Sequence, residues 1–365
     1  MSRVVSGMRP TGRLHLGNYF GALKNWVSLQ DVQDCRFFVA DWHMLTTGYD
    51  DTSALQDNIR EMVLDWLAAG VDPGKSLIFK HSDVPEHAEL ALLLGMVTPL
   101  SWLENNPTWK EQLQELSKTK ESLEREAVAA ASKAASAPAV KPAEAKTSGR
   151  HIAHELRTFG FLGYPVLQAA DILIYRGEKV PVGQDQLPHL ELTREIARKF
   201  NSIYGEVFPE PQPILTATPK LSGIDGRKMS KSYGNVVDLL ESSESLKTKV
   251  RAMYTDPKKT HKDTPGHPDA GPENPPGCVV YALHKLYTPG WERIGEECRA
   301  GALGCMDDKL KKLLPNLEAP FEAFRRRREA LSAQAVAETL AQGAERARVE
   351  ARATLKEVRK AMRLA

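Results

Sequence analysis

Val4-Val5-Ser6-Gly7-Met8-Arg9-Pro10-Thr11-Gly12-Arg13-Leu14-His15-Leu16-Gly17-Asn18 starts as a buried strand, turns sharply, and ends where a helix begins. Gly7 and Gly12 permit backbone conformations or close approaches that a side chain would obstruct. The same rhythm continues downstream. Tyr19 to Leu29 reads as a helix, Arg36-Phe37-Phe38-Val39-Ala40 as a second strand, and Thr52 to Ala69 as a long amphipathic helix. Leu77-Ile78-Phe79-Lys80 is a third strand, followed by a helix opening at Pro85. Strands alternating with helices imply a parallel, doubly wound α/β sheet with right-handed crossovers. Ligands of such sheets bind beyond the carboxyl ends of the strands, so the turn at Arg9–Gly17 belongs to a site.

At that turn, His15-Leu16-Gly17-Asn18 opens a helix whose free N–H groups and positive dipole end suit phosphate oxygens. Gly17 leaves room for a flat base against its backbone, and His15 and Asn18 can donate to phosphates. A surface histidine beside an N-capping turn is the alternative. A second element favours the phosphate reading: Lys228-Met229-Ser230-Lys231-Ser232, with Gly223 and Gly226 before it and Gly234 after. Glycines on both sides predict a loop that swings Lys228 and Lys231 onto a triphosphate.

Between these elements lies Tyr164-Pro165-Val166-Leu167-Gln168-Ala169-Ala170-Asp171, then Val180-Pro181-Val182-Gly183-Gln184-Asp185-Gln186. On a helix, Tyr164, Gln168 and Asp171 share one face. An acidic group among Val, Leu, Ile and Ala needs a hydrogen-bond partner, which a ligand or a local cap can provide. Asp185 could accept from a ribose hydroxyl, and Gly183 permits close approach.

The chain has 365 residues, enough for two domains, and the strand pattern ends near the lysine element. The expected division is a catalytic domain over 1–230 and an all-helical domain over 231–365, with helices at 239–253 and 275–365 around a Pro/Gly-rich loop. Residues 126–149 collapse to Ala, Lys, Ser, Pro and Glu and read as an insertion. With 42% apolar and 26% charged residues and a net charge of +2, the chain is an ordinary globular one. Any nucleic-acid contact then needs a local basic face, of which Arg325-Arg326-Arg327-Arg328 is the candidate. No apolar run long enough to span a membrane and no apolar leader occur, so the expectation is a cytoplasmic protein. Cys35, Cys278, Cys298 and Cys305 contain no Cys-x-x-Cys pair and read as reduced thiols.

Taken together, Ser6-Gly7, Pro10-Thr11-Gly12, Leu16-Gly17-Asn18-Tyr19-Phe20-Gly21-Ala22-Leu23, the Asp171 segment and Val180–Arg194 resemble the tryptophanyl-tRNA synthetases of class I. The resemblance implies a Rossmann-like catalytic domain and a helical anticodon-binding domain. It implies that Arg9, Pro10 and Thr11 line the ATP site with Gly17 and Asn18. Gly183, Gln184 and Asp185 would hold ribose and adenine, Leu221 would add a backbone contact, and Lys228, Met229, Ser230, Lys231 and Ser232 would hold the phosphates. Lys228, Lys231, His15 and Asn18 become the catalytic set. Asp171 would accept the indole N–H, with Gln168, Tyr164 and His43 completing the tryptophan pocket.

The same resemblance implies ATP as substrate with Mg²⁺, L-tryptophan and tRNA(Trp) as partners, a homodimer, and no permanently bound cofactor. Some members carry an iron–sulfur cluster on a broadly similar cysteine spacing, but here the fourth position falls on Asp308. Three further departures stand out: Arg9 where many members have Gln, Gln168 where Met is frequent, and a poor match over 107–112 that leaves Lys110 as a substitute lysine. Two rival readings follow, a tyrosine-specific synthetase, and a synthetase-like paralogue with a regulatory or partner-binding role.

Overall fold

A computed structural model describes residues 1–107, 109–110, 158–215, 221–272 and 274–364, apart from the side chains of Asp185 and Ser232. The insertion at 126–149 lies outside these residues, as do Thr108 and Gln112.

The described elements follow in chain order. Strand β1 (Arg3–Met8) leads into α1, a continuous helical run of Leu16–Asn18, a π-turn Tyr19–Leu23 and Lys24–Leu29. Strand β2 (Asp34–Val39), α2 (Asp41–Gly48), α3 (Leu55–Ala69) and β3 (Ser76–Lys80) come next, then α4 (Glu86–Val97) and α5 (Leu100–Glu104). After the undescribed segment come α6 (Phe159–Leu173), β4 (Lys179–Val182), α7 (Leu187–Tyr204) and β5 (Gln212–Leu215). The rest is helical: α8 (Ser243–Ala252), α9 (Val279–Tyr287), α10 (Trp291–Arg299), α11 (Leu314–Glu329) and α12 (Ala333–Ala361).

The five strands are all parallel in the order β3-β2-β1-β4-β5. The chain winds outward from β1 to β3, then returns to place β4 beside β1. That reversal opens a crevice at the carboxyl ends of β1 and β4, the topological switch point where open sheets bind ligands. The strands β2 and β3 are buried along nearly their whole length, as a sheet covered by helices requires, whereas β5 at the far edge is largely exposed.

One core layer joins Val4, Trp26, Phe37 and Trp66 to Leu246, Val250, Leu317 and Phe321 of the helical segment. The other joins Phe38, Phe79, Ala169 and Phe200 to Ala347, Ala351 and Leu355 of α12. Thus α12 returns to cover β3, the strand at the edge of the sheet. A Cβ at Gly343 would lie 1.7 Å from the Ile78 carbonyl oxygen, so only glycine lets this helix sit on the strand backbone. Around it, Arg36 Nε is 2.8 Å from Glu350, and Arg352 Nε is 2.8 Å from Glu86.

Candidate active site

The crevice holds a cavity of about 640 Å³, walled by Ser6 and Gly7 from β1, by Val180, Pro181 and Val182 from β4, and by one face of α6. Tyr164, Gln168 and Asp171 all line it, as their helical spacing predicts. Arg9 and His43 line it too. Arg9 therefore stands in the wall of the cavity, its Nη2 held 2.6 Å from Thr47 Oγ1. His43 sits on α2, a helix too short for its apolar spacing to reveal.

At the floor, Asp171 is 1% exposed and meets three histidines. Its Oδ2 is 2.7 Å from His43 Nε2, and its Oδ1 is 2.7 Å from His87 Nδ1. His81 Nε2 lies 2.9 Å from Oδ1, although neither His81 ring nitrogen makes an aligned hydrogen bond. Burial alone would push the Asp171 carboxyl up. The charge and N–H groups of His81, His43 and His87 outweigh it and hold the group well below the usual carboxylate range. His81 and His87 arrive from the end of β3 and from α4, and no spacing in the sequence announces them. Tyr164 closes the other side, its hydroxyl 2.8 Å from His189 Nε2 and pushed up to about 12 by burial, against the pull of Arg9.

The nucleotide turn lies beside this cavity. Thr11 N–H bonds Arg9 O at 2.9 Å, and Gly12 has φ +86°. His15 Nδ1 accepts from Gly17 N at 3.1 Å, while Asn18 Oδ1 accepts from His15 N at 3.2 Å. Each residue thus uses an acceptor on the backbone and keeps a donor, His15 Nε2–H or the Asn18 amide, for a ligand. Burial, assisted by nearby Lys231, lowers the His15 pKa to about 4, so its ring is neutral. The space that a Gly17 Cβ would fill is taken by the His15 ring, 2.8 Å away, so glycine there also seats the histidine.

The lysine element is a tight hairpin. Ser222 pairs with Lys228, Met229 N–H reaches Leu221 O at 3.2 Å, and Gly226 and Gly234 have positive φ. Asn235, 2% exposed, latches it: its Oδ1 accepts from Ser230 N at 2.8 Å, and its Nδ2 donates to Asp225 at 2.8 Å and Lys228 O at 3.1 Å. The flanking glycines Gly226 and Gly234 therefore satisfy hairpin geometry. Leu221 contributes its carbonyl to the hairpin. Lys228 is exposed, whereas Lys231 Nζ crosses to Thr11 O at 2.5 Å. Burial lowers the Lys231 pKa, with Asp238 and Asp65 opposing. The segment behind it pairs with the nucleotide turn, Leu16 N to Val237 O at 2.9 Å and Leu239 N to Leu14 O at 3.0 Å.

Gly183 and Gln184 follow β4 at the same sheet edge, as does the backbone of Asp185. Lys110 Nζ bonds Asn105 Oδ1 at 3.1 Å on the surface.

The family profile described as "tRNA synthetases class I (W and Y)" matches residues 1–309. The chain is 48% identical to the tryptophan–tRNA ligase of Aquifex aeolicus, covering 99% of this chain and 100% of that one. It is 45% identical to the tryptophan–tRNA ligase of Thermotoga maritima, covering 99% of each. This chain belongs to the tryptophanyl-tRNA synthetases of class I. A solved member, the Campylobacter jejuni tryptophanyl-tRNA synthetase complexed with ADP and tryptophan, superposes with a TM-score of 0.76 at 29% identity over 99% of each chain. As a member of this synthetase family the protein is an aminoacyl-tRNA ligase, and the parallel sheet with a helical following region is the family's fold.

Arg325 donates to Glu241 O, Arg327 Nε to Ala68 O at 2.6 Å, and Arg328 to Asp65 at 2.7 Å and Glu61 at 2.8 Å. Arg326, paired with Glu322, and Arg327 remain exposed, so the basic run divides between two arginines held within the fold and two at the surface.

Cys278, Cys298 and Cys305 gather with Asp308 around a cavity of about 20 Å³. Asp308 Oδ1 is bonded to His284 Nε2 at 3.0 Å, and burial pushes the Cys278 and Cys298 thiols up to about 12 and about 11. Three thiols, one committed carboxylate and room for about one water do not fit an iron–sulfur cluster, which takes four thiolates.

Proposed function

We propose that the protein activates L-tryptophan with ATP and transfers it to tRNA(Trp). The observation that carries this is a buried carboxylate, Asp171, ringed by three histidines at the floor of a cavity of mixed polar and apolar lining that opens beside the nucleotide turn. In the first step the tryptophan carboxylate attacks the α-phosphate in line, forming the adenylate and releasing pyrophosphate. In the second, a ribose hydroxyl at the tRNA 3′ end displaces AMP. The carboxylate is already a nucleophile, so the protein supplies alignment and charge.

Lys231 and Lys228 neutralise the departing pyrophosphate, while His15 Nε2–H and the Asn18 amide donate to phosphate oxygens. Pro10, Thr11 and Gly17 shape the turn. Met229, Ser230 and Ser232 belong to the hairpin that carries the lysines, and Gly183, Gln184 and Asp185 take the ribose and adenine. Mg²⁺ enters as the counter-ion of the nucleotide phosphates. Among the described residues the one three-ligand grouping, His43, His81 and Asp171, is centred on the carboxylate that we read as the indole acceptor.

A buried acceptor penalises any amino acid lacking an N–H or O–H at that depth, phenylalanine above all. Pyrophosphate exchange with tryptophan, tyrosine and phenylalanine, then charging of tRNA(Trp), tests the reading. Exchange with tyrosine alone would refute the substrate, and adenylate formation without charging would refute the ligase in favour of the paralogue.

The working form we read as a homodimer. Helix α4 exposes Leu92 and Met96, with Leu100 and Phe159 also exposed, a cluster of large apolar side chains suited to a second copy. The segment after residue 230 is read as the anticodon-binding domain, where Arg326, Lys356 and Lys360 remain exposed. No described helix is long and apolar enough to cross a membrane. ATP and tRNA place the working compartment in the cytoplasm. Light scattering and filter binding check assembly and tRNA contact.

A further inference from the structure

Behind the cavity floor stands a layer of side chains that touches no part of the cavity. His81, His87 and Tyr175 are all 0% exposed, and they come from three different segments. His87 bridges two groups, with Nδ1 at 2.7 Å from Asp171 Oδ1 and Nε2 at 2.7 Å from the Tyr175 hydroxyl.

The protons in this chain have only one consistent arrangement. Burial and nearby His81 bring the His87 pKa down to about 4, so the ring is neutral and carries one N–H. Burial, with the Asp171 charge, pushes the Tyr175 hydroxyl well above its ordinary range, so it keeps its proton. Ionised Asp171 can only accept. Tyr175 O–H therefore donates to His87 Nε2, and His87 Nδ1–H donates to Asp171 Oδ1.

A carboxylate offers about four acceptor directions. His87 takes one on Oδ1, and His81 crowds the other side of that oxygen at 2.9 Å. His43 takes one on Oδ2 at 2.7 Å. One direction on Oδ2 remains, on the oxygen bonded by the cavity-lining histidine. An indole N–H is a donor with nothing to accept, so one free acceptor satisfies it. A phenol hydroxyl also carries lone pairs, and the N–H groups of His43 and His87 that reach this floor are already committed to Asp171.

We infer that His87 and Tyr175, backed by His81, are specificity-determining positioning residues: they fix Asp171 as an acceptor with a single free direction, matched to a ring N–H. This rests on Asp171 facing the indole, as proposed above.

The test is pyrophosphate exchange by wild type, His87→Leu, His87→Asn and Tyr175→Phe, with tryptophan, tyrosine and the benzothiophene analogue of tryptophan, which has sulfur in place of the N–H. Wild type should discriminate against the analogue by roughly 10- to 100-fold in kcat/KM. His87→Leu should raise KM for tryptophan by roughly 10- to 100-fold, leave kcat within about threefold, and narrow both the analogue and the tyrosine gaps. His87→Asn, which keeps a donor near Oδ1, should recover most of the affinity. Tyr175→Phe, nearly isosteric, should raise KM by roughly three- to tenfold, because it removes the group that fixes the His87 tautomer.

If wild type accepts the analogue as well as tryptophan, the placement of the indole on Asp171 fails. If wild type discriminates but His87→Leu and Tyr175→Phe keep wild-type KM and selectivity, the positioning inference alone fails. A fall in kcat with KM unchanged would also overturn it.

Discussion

Arg328→Met tests how the nucleotide turn is tied to the helical segment. Asp65 is 0% exposed and has two partners, Leu14 N–H at 2.8 Å and Arg328 Nε at 2.7 Å. The guanidinium also reaches Glu61 at 2.8 Å, and Glu61 in turn holds Arg13 at 3.1 Å. Methionine fills much of the same volume but leaves Asp65 buried with one donor and without its paired guanidinium. Removing one partner of a buried ion pair costs about 3–5 kcal/mol. With a urea slope of about 2–3 kcal/mol per molar, the unfolding midpoint should fall by roughly 1–2 M.

The pH dependence has a definite sign. Burial already raises the Asp65 pKa in the folded state, against the pull of Leu14 N–H and Arg328. Loss of Arg328 raises it further, so the folded variant binds a proton that the unfolded chain releases, and its stability grows as pH falls. The deficit measured at pH 8 should therefore shrink toward pH 5. Asp65→Asn added to Arg328→Met removes the buried charge and should recover most of the loss. Because Asp65 also fixes Leu14, next to His15, the single variant should lower kcat for pyrophosphate exchange by roughly tenfold. A deficit below about 1 kcal/mol, or one that grows on acidification, would refute the reasoning.

Lys231→Ala should cut kcat for exchange by roughly 10²–10³ with tryptophan binding unchanged, read by exchange kinetics beside equilibrium titration. Asn235→Ala removes the latch of the lysine hairpin, so exchange should slow by roughly tenfold while hydrogen exchange at 228–231 accelerates. Acid unfolding should begin below pH 6.5: His15 and His87, both lowered to about 4, are held neutral only in the folded state, so stability is present above 6.5 and is lost as pH falls toward 4. His87→Asn should flatten that part of the urea-midpoint profile.

How much of this could be read in the chain follows from the distance over which each pattern acts. The order of strands and helices, and the shared face of Tyr164, Gln168 and Asp171, follow from periods of two and 3.6 residues and are legible. The partners of Asp171 are not, because His43, His81 and His87 come from three elements that only the parallel sheet brings together. Helix α4 hid His87 further, being apolar on nearly every side. The inward partners of Arg325 and Arg328, and the His15 ring seated against Gly17, are hidden for a related reason. A charged or small residue states what it can do, but the packing of its element decides which neighbour receives it. Asn235 is equally silent in the sequence, since nothing local marks an amide that will be buried under a hairpin.

The last long helix has a consequence for biogenesis. Strand β3 leaves the ribosome early, with one row of backbone groups facing no other strand. The helix that covers it emerges much later; its Arg348 meets Glu86 across 262 residues of sequence. For all of that synthesis the nascent sheet presents an open, apolar edge, the surface on which chains join one another. The rigid seat at Gly343 then does more than hold two segments together. It makes cover of that edge contingent on translating α12, so a message broken before codon 333 should yield a chain that holds the cavity-lining residues and the lysine hairpin with its sheet edge still bare.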